Sequence, residues 1–298
     1  MTKLGPLVTI GIPTFNRAGL LSRTIMTVLN QDYEHIEVIV SDNASTDATQ
    51  IVCRSYADAD HRLKYFRQEK NFGMAANFGA VLQRASGEFF IWLGDDDRID
   101  PHYISSALQV LTHDPTVALV SGTPRYYRNG IKVADGEIFS LVSVFWQLRV
   151  IAFYWHVRDN GHLYGLMRIS HARQVPIKVT MGNDWLIVAR MAAFGKIIML
   201  REMSLHRELG GASASYCHMV KTCGLPIIQG IFPLVSIAIC AFSEIIFRDP
   251  SYRVYSFVQR AAVGIAVFFV LLSKTIAKPF SFKVITSSFV MKLSSRKA

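Results

Sequence analysis

Acidic residues almost vanish from the end of this 298-residue sequence. The last 51 residues hold nine Lys or Arg, with Asp249 as their one acid, and so carry +8 of the net charge of +10. A basic patch of this kind serves nucleic acid or an anionic membrane surface. Here the cations alternate with Phe257, Val267, Phe268, Phe269, Leu271, Leu272, Phe280, Phe282 and Phe289. That mixture favours a membrane surface over nucleic acid. Charge is scarce overall, 18% of residues against 51% hydrophobic ones, so the chain has ample apolar material for a core. Cysteine is sparse as well: Cys53, Cys217, Cys223 and Cys240 show neither paired spacing nor a zinc pattern, and reduced cytosolic thiols are expected. Residues 1–6 are too short for a basic, apolar leader before the first strand, so the expected working place is the cytoplasmic side. Internal repeats and low-complexity runs are absent too.

What is present centres on residues 89–101, FFIWLGDDDRIDP. Five apolar residues run into Gly94 and then into Asp95, Asp96 and Asp97. An apolar run of that length, bounded by Gly87 and Gly94, predicts a strand buried on both faces in the middle of a parallel sheet. The acids then stand at its carboxyl end, where open α/β sheets bind ligands. Three adjacent carboxylates repel one another and call for a cation. Oxygen donors suit Mg²⁺ or Mn²⁺, and Mg²⁺ is usually held by one or two carboxylates together with substrate phosphates. The plainer alternative is a solvated acidic turn capping the next helix, but Asp100 before Pro101 already fills that place.

Strands are predicted over 7–12, 36–40, 63–66, 89–93, 117–120 and 196–200, with helices at 19–31, from Ser45 or Thr46 to about 57, 74–84, after Pro101 to about 113, 140–157 and from Gly182 to about 194. Residues 122–128 read as a turn-rich stretch closed by Asn129-Gly130, and Asn160-Gly161 as a helix breaker. Alternating strands and helices give a doubly wound, mostly parallel α/β sheet, with ligand loops after Ile12, Val40 and Leu93 on one edge.

The pieces IPTFNR (12–17), VSDNASTDAT (40–49), NFGMAANFGAVLQRASGEFFIWLGDDD (71–97) and NDW (183–185), in this order, resemble the inverting glycosyltransferases of family 2. Within them the chain is similar to bacterial enzymes that build O-antigen or capsule repeat units, of the abequosyltransferase type. The resemblance spans about residues 7–205 and implies the nucleotide-sugar-binding GT-A fold, in a catalytic domain over 1–215. It implies that Pro13, Thr14, Phe15, Arg17 and Asp42 hold the nucleotide, Asp42 facing the base. Asn71, Gly73, Asn77, Asp95, Asp96 and Arg207 complete the implied nucleotide-sugar site. It further implies Mg²⁺ or Mn²⁺ on the diphosphate, held by Asp96 and Asp97 with His206 as a third candidate, and Asp184 as the catalytic base. Two departures from the family pattern stand out. Counting back from Pro101, Gly94 occupies the place of the first acid of Asp-x-Asp-Asp, and Ala76 precedes Asn77 where Arg is common. Residues 205–213 (LHRELGGAS) are expected as a loop closing over the diphosphate, offering His206 and Arg207.

Residues 216–298 are expected as a helical, membrane-associating region. The apolar stretch 225–247 is long enough to span a bilayer, but Pro226, Gln229, Pro233 and Glu244 interrupt it, while 261–272 is short and suits an interfacial helix. Helices lying on the cytoplasmic leaflet are preferred to a pair dipping into it, because lysines beside aromatics suit an interface. The expected protein is a peripheral glycosyltransferase at the cytoplasmic face of the bacterial inner membrane. Its partners would be a nucleotide-sugar donor, a polyprenyl-diphosphate-linked saccharide acceptor and the membrane surface. Three alternatives stay open: a polyprenyl-phosphate glycosyltransferase, a nucleotidyltransferase, which would want a Gly-rich basic phosphate loop this chain lacks, and an idle membrane-bound nucleotide-sugar-binding module.

Overall fold

A computed structural model gives the structure and describes residues 5–210 and 216–277. The first half alternates as predicted: β1 (Val8–Thr14), α1 (Ala18–Leu29), β2 (Ile36–Asp42), α2 (Thr49–Ala59), β3 (Leu63–Arg67), α3 (Met74–Arg84) and β4 (Phe89–Trp92). The next stretch contains β5 (Arg98–Ile99), α4 (Tyr103–His113), β6 (Val117–Arg128), β7 (Ile131–Asp135), α5 (Trp146–His156), β8 (Leu166–Arg168), α6 (Ile169–Ala172), α7 (Asn183–Phe194) and β9 (Lys196–Glu208). Helices α8 (Tyr216–Cys223), α9 (Ile227–Ile231), α10 (Pro233–Ser243) and α11 (Phe257–Ala277) follow.

The strands form one sheet in the order β3-β2-β1-β4-β8-β6-β9-β5, with β7 on the far part of β6. From β3 to β4 every pairing is parallel. The VTIGIPT, IEVIVSD and FFIW strands are buried along their whole length, as strands covered by helices on both faces must be. Beyond β4 the sheet turns mixed. β8 runs antiparallel to both β4 and β6, so β4 lies at the seam between two halves rather than inside a wholly parallel sheet. Because β1, β2 and β4 are parallel, the loop after each opens on the same edge, and that edge carries the acidic triplet.

Two elements exceed their sequence expectation. The stretch 122–128 is strand, not turn, because β9 runs beside it in parallel as far as the Tyr127–Glu208 pair, with a register shift at Gly122/Thr123. Asn129 (φ 52°) and Gly130 (φ 78°) then reverse the chain into β7. β9 likewise continues to Glu208, eight residues beyond Leu200. His206 and Arg207 therefore sit on a strand, and of the expected loop residues 211–213 lie outside the described residues.

Of the C-terminal helices, α11 packs against α5, and α10 packs against α11. Residues 225–247 do not form one span: the chain breaks at Phe232–Pro233 and enters a wide π turn over Glu244–Arg248. Glu244 and Asp249 instead meet Arg190 of α7, which is 1% exposed, with Arg190 Nη2 3.0 Å from Glu244 Oε2 and Nε bonded to Asp249. Lys178 Nζ lies 2.5 Å from the same Glu244 oxygen. α11 is longer than the twelve-residue piece expected, 21 residues, and by length and composition alone it could cross a membrane. Val263, Val267 and Leu271 bury one face of it in the core, each worth about 1.5–3 kcal/mol. The opposite face, Val258, Ala262, Ile265, Phe269, Ser273 and Ile276, is exposed. Lys274 reaches back to donate to the carbonyl of Val157 at the end of α5, 2.8 Å away.

Candidate active site

The loops after β1 and β2 are laced together. Asn16 takes a positive φ of 54° and its main-chain N–H donates to Ser45 Oγ (2.8 Å), while its side-chain oxygen accepts from the N–H of Thr46 (2.7 Å). Asp47 accepts from the N–H groups of Ala18 and Thr49, serving the first turns of α1 and α2 together. This holds the Thr14–Arg17 corner against the triplet. Thr14 Oγ1 donates to Asp95 Oδ2 (2.7 Å), and Arg17 Nη1 lies 3.0 Å from Asp96 Oδ2. Phe15, 40% exposed, stands at the rim of that corner, and Pro13 is buried in β1.

On the β2 side Asp42 is fully buried and its carboxylate accepts from Ser45 N–H, Tyr65 Oη and Arg67 Nη1, each at 2.8 Å. Asn43 ties in the next loop, accepting from Phe72 N–H (2.9 Å) and donating to Asn71 Oδ1 (2.8 Å). Gly73, at φ 89°, makes the turn into α3 in a conformation that costs other residues strain. Asn77 is buried, donates to the Thr14 carbonyl (3.1 Å) and accepts from Gln68 Nε2 (2.7 Å). Asp42, Asn71 and Asn77 thus brace the walls of this corner, and Tyr65 and Arg67 are the side chains that Asp42 orients.

The third acid is met from β9. β5, directly after the triplet, pairs antiparallel with β9, Arg98 opposite His206, and this brings Arg207 to Asp97, Nε to Oδ2 3.3 Å. Burial raises Asp95 to about 7, with the Asp96 charge adding to the rise and Thr14 and Arg17 opposing it. Burial raises Asp97 to about 7 as well, against the pull of Arg207. Burial alone would lower Arg207, but the Asp97 charge overrides it and keeps the guanidinium protonated. Arg207 also lies over the ring of Tyr164, 4.6 Å from its centroid, and donates to the side-chain oxygen of Asn160.

Asp184 enters from the first turn of α7. Gly182, at φ 71°, precedes that helix, and a Cβ there would stand 2.5 Å from Ile237 of α10, so the position excludes a side chain on both grounds. Asp184 is not the helix cap; its Oδ1 accepts from the N–H of Trp185 (3.0 Å), and Asn183 accepts from Lys178 N–H (3.1 Å). Burial raises the Asp184 carboxyl above the ordinary carboxylate range, opposed by that N–H, by the Asn160 amide and by the Arg207 charge. A half-buried carboxyl of raised pKa close to other charged groups can serve as a proton acceptor.

Residues 9–175, more than half of the chain, match the model of the family described as Glycosyl transferase family 2. The chain belongs to glycosyl transferase family 2. It is 39% identical over 105 residues to the GalNAc(5)-diNAcBac-PP-undecaprenol beta-1,3-glucosyltransferase of Campylobacter jejuni, covering 35% of this chain and 34% of that one. It is 36% identical over 115 residues to the putative colanic acid biosynthesis glycosyl transferase WcaA of Escherichia coli, covering 37% and 41%. The matches thus span about a third to two-fifths of these relatives' lengths. Among solved structures the fold is similar to S. aureus TarS 1-349 in complex with UDP-GlcNAc, with a TM-score of 0.63 at 17% identity over 93% of this chain and 76% of that one. It is also similar to the mannosyltransferase PcManGT of Pyrobaculum calidifontis in complex with GDP-Man and Mn²⁺, with a TM-score of 0.57 at 17% identity over 97% and 80%. The fold is GT-A-like.

The family's frequent use of a divalent metal can be weighed on the donor set. Asp96 Oδ1 and Asp97 Oδ2 both turn back over Gly94, where a Cβ would meet them at 3.2 and 2.7 Å. Two carboxylate oxygens therefore converge over a backbone position that carries no side chain. Hard oxygens of this number fit Mg²⁺ or Mn²⁺ completed by phosphate oxygens. No three His, Cys, Asp or Glu side chains form a ligand group among the described residues. His206 does not join the pair: its Nε2 lies 2.7 Å from Asp100 Oδ1 and its Nδ1 2.9 Å from Tyr127 Oη, so both ring nitrogens are taken. Asp100 itself accepts from His206 and Ser204 N–H instead of capping α4. Sequence reasoning missed Asn160, Tyr127 and Tyr164. Asn160-Gly161 carried only the signal of a turn, and the two tyrosines gave none.

Proposed function

We propose that this glycosyltransferase moves a sugar, with inversion, from a nucleotide-sugar to a saccharide carried on a polyprenyl diphosphate, at the cytoplasmic face of a bacterial inner membrane. The observation that carries the reading is the meeting, at one sheet edge, of three acids, two arginines aimed at them and the half-buried Asp184 carboxyl. The Campylobacter relative bears the name of an enzyme acting on an undecaprenol-linked saccharide, and WcaA that of one in colanic acid biosynthesis.

In this reading Phe15 and the Tyr65–Arg67–Asp42 cluster meet the nucleotide, Asn71, Gly73 and Asn77 shape its wall, and Arg17 and Arg207 turn to the diphosphate. Those guanidiniums offset the charge growing on the departing diphosphate. Asp96 and Asp97 hold Mg²⁺ or Mn²⁺, which when bound adds positive charge at the same place. Asp184 takes the proton of the acceptor hydroxyl as its oxygen attacks the anomeric carbon from the side opposite the leaving group. Residues 1–215 make the catalytic body, and 216–298 rest the enzyme on the membrane.

The test is release of nucleoside diphosphate from UDP-, GDP-, CDP- and dTDP-sugars in the presence of lipid extracted from bacterial membranes, with Mn²⁺ or with EDTA. One donor should turn over, EDTA and Asp96→Ala should stop it, and Asp184→Asn should lower kcat by about 10²–10⁴-fold. Turnover indifferent to EDTA and to Asp96 would remove the metal from the reading.

A further inference from the structure

Arg17 and Arg207 meet the acidic triplet in different ways. Arg17 takes one oxygen of Asp96, Nη1 to Oδ2 at 3.0 Å, and leaves Oδ1 as the oxygen that turns back over Gly94. Arg207 faces both oxygens of Asp97, its Nε 3.3 Å from Oδ2 and 3.5 Å from Oδ1. The Asp97 oxygen that turns over Gly94, Oδ2, is therefore already under a guanidinium. The Asp97 side chain is 1% exposed, so its charge needs that cation or another in its place. Charge-assisted N–H···O bonds usually close to about 2.7–2.9 Å, so Arg207 rests on Asp97 loosely.

The other contacts of Arg207 come from Asn160 and the short 3₁₀ turn after it, Gly161–Tyr164. Nη1 donates to the Asn160 side-chain oxygen, Nη2 lies 3.4 Å from Tyr164 Oη, and the guanidinium stands over the Tyr164 ring. That turn is anchored from behind. Tyr103 Oη donates to the Tyr164 carbonyl (2.9 Å) and accepts from Gly122 N–H (2.9 Å), and Gly161 lies so close to the Pro124 ring of β6 that a Cβ would collide with it. Asn160 and Tyr164 are uncharged. They fix the place of the guanidinium without neutralising it, and so leave open which anion it faces.

We propose that Arg207 is an exchangeable counter-ion, which occupies Asp97 until a divalent cation takes that carboxylate and then turns its charge to the diphosphate of the donor. This rests on the reading that Asp96 and Asp97 bind Mg²⁺ or Mn²⁺. Two cations on one buried carboxylate repel each other, so Arg207 gives way as the ion is seated. The anion that arrives with the ion is the diphosphate, whose oxygens complete the ion's shell. Arg17 meets no such conflict, because Asp96 offers it a separate oxygen. Arg207 thus opposes binding of the ion alone and favours turnover, two effects of opposite sign from one side chain.

The experiment measures affinity for Mn²⁺ alone, from the electron paramagnetic resonance of the free ion at pH 8, in the parent, Arg207→Gln, Arg207→Lys and Arg17→Gln. Arg207→Gln should bind Mn²⁺ about tenfold more tightly than the parent, yet release nucleoside diphosphate about 10²-fold more slowly. Arg207→Lys, which keeps the charge, and Arg17→Gln should stay within about threefold of the parent affinity. Affinity in Arg207→Gln no tighter than the parent's would overturn the proposal. So would an equal gain in Arg17→Gln, which marks a general field rather than exchange on Asp97, and so would undiminished turnover in Arg207→Gln. If Arg207→Gln does not fold, nitrogen-15 NMR of the parent decides: saturating Mg²⁺ should quicken exchange of the Arg207 Nε–H with water by about tenfold, and an unchanged rate overturns the exchange. Mn²⁺ binding absent from the parent and from every variant would instead overturn the metal reading itself.

Discussion

Asp95 shows what the triplet costs the fold. A carboxyl that ionises near 4 in the unfolded chain and near 7 when folded keeps its proton longer in the folded state, so its contribution to stability declines as pH rises from about 4 to about 7. The slope is bounded by about 1.4 kcal/mol per pH unit and is reduced because Asp95 keeps some contact with water. His162, which burial pushes down to about 3, acts in the opposite sense below about pH 6.5. The informative comparison is therefore between parent and Asp95→Asn, melted without metal at pH 5 and at pH 7.5. The variant should gain on the parent between the two pH values, and Mn²⁺ should narrow that gap. An advantage that shrinks with pH would contradict the raised carboxyl. The acids themselves were legible in the sequence, since an apolar run ending in three carboxylates has few structural explanations. Their partners were not. Arg17 sits 79 residues from Asp96 and Arg207 110 from Asp97, and only the pairing of β5 with β9 brings the latter together. His206 illustrates the reverse: its place beside the triplet was inferable, but Asp100 and Tyr127 claim both its nitrogens.

Among the elements, the parallel half of the sheet followed from β-branched runs separated by helical spacing. The far half did not, because β6, β8 and β9 owe their extent to one another. The polar stretch 122–128 has no apolar alternation to announce a strand, and it is one because β9 lies alongside. The broken apolar stretch 225–247 was signalled by its prolines and Glu244, whereas the partner of Glu244 was out of reach of any local pattern. That partner, Arg190, gives α7 its strongest tie to the C-terminal helices. Asp249→Asn leaves a buried guanidinium with half its compensation and should cost about 3–5 kcal/mol, measured by urea denaturation. A loss below about 1 kcal/mol would mean that the cluster contributes little to holding α7 in place.

At the scale of the whole molecule, one side is apolar without being covered. Val258, Ile265, Phe269 and Ile276 line the outer face of α11, and Ile227, Ile228, Ile231 and Phe232 are exposed around α9. Faces of this composition on a basic chain suit an anionic leaflet. Flotation with phosphatidylglycerol vesicles should recover the parent protein, and the double substitution Ile265→Lys and Phe269→Lys should reduce recovery at least about tenfold with little change in melting temperature. Equal recovery of both would assign the membrane contact to another part of the chain.

Gly182 and Arg190 share a further consequence. Both belong to the helix that presents Asp184, or to the turn before it, and both are gripped by the segment that carries the exposed apolar face: Ile237 sits on Gly182, and Glu244 and Asp249 clasp Arg190. Under the proposed function, with that face resting on a bilayer, the carboxyl of Asp184 would stand at a set height above the lipid headgroups. Under the proposed function the bilayer would then serve as the zero of a depth gauge, and a growing lipid-linked glycan would be read by how far its terminal hydroxyl rises: too few sugars would fall short of the carboxyl, and too many would overshoot it.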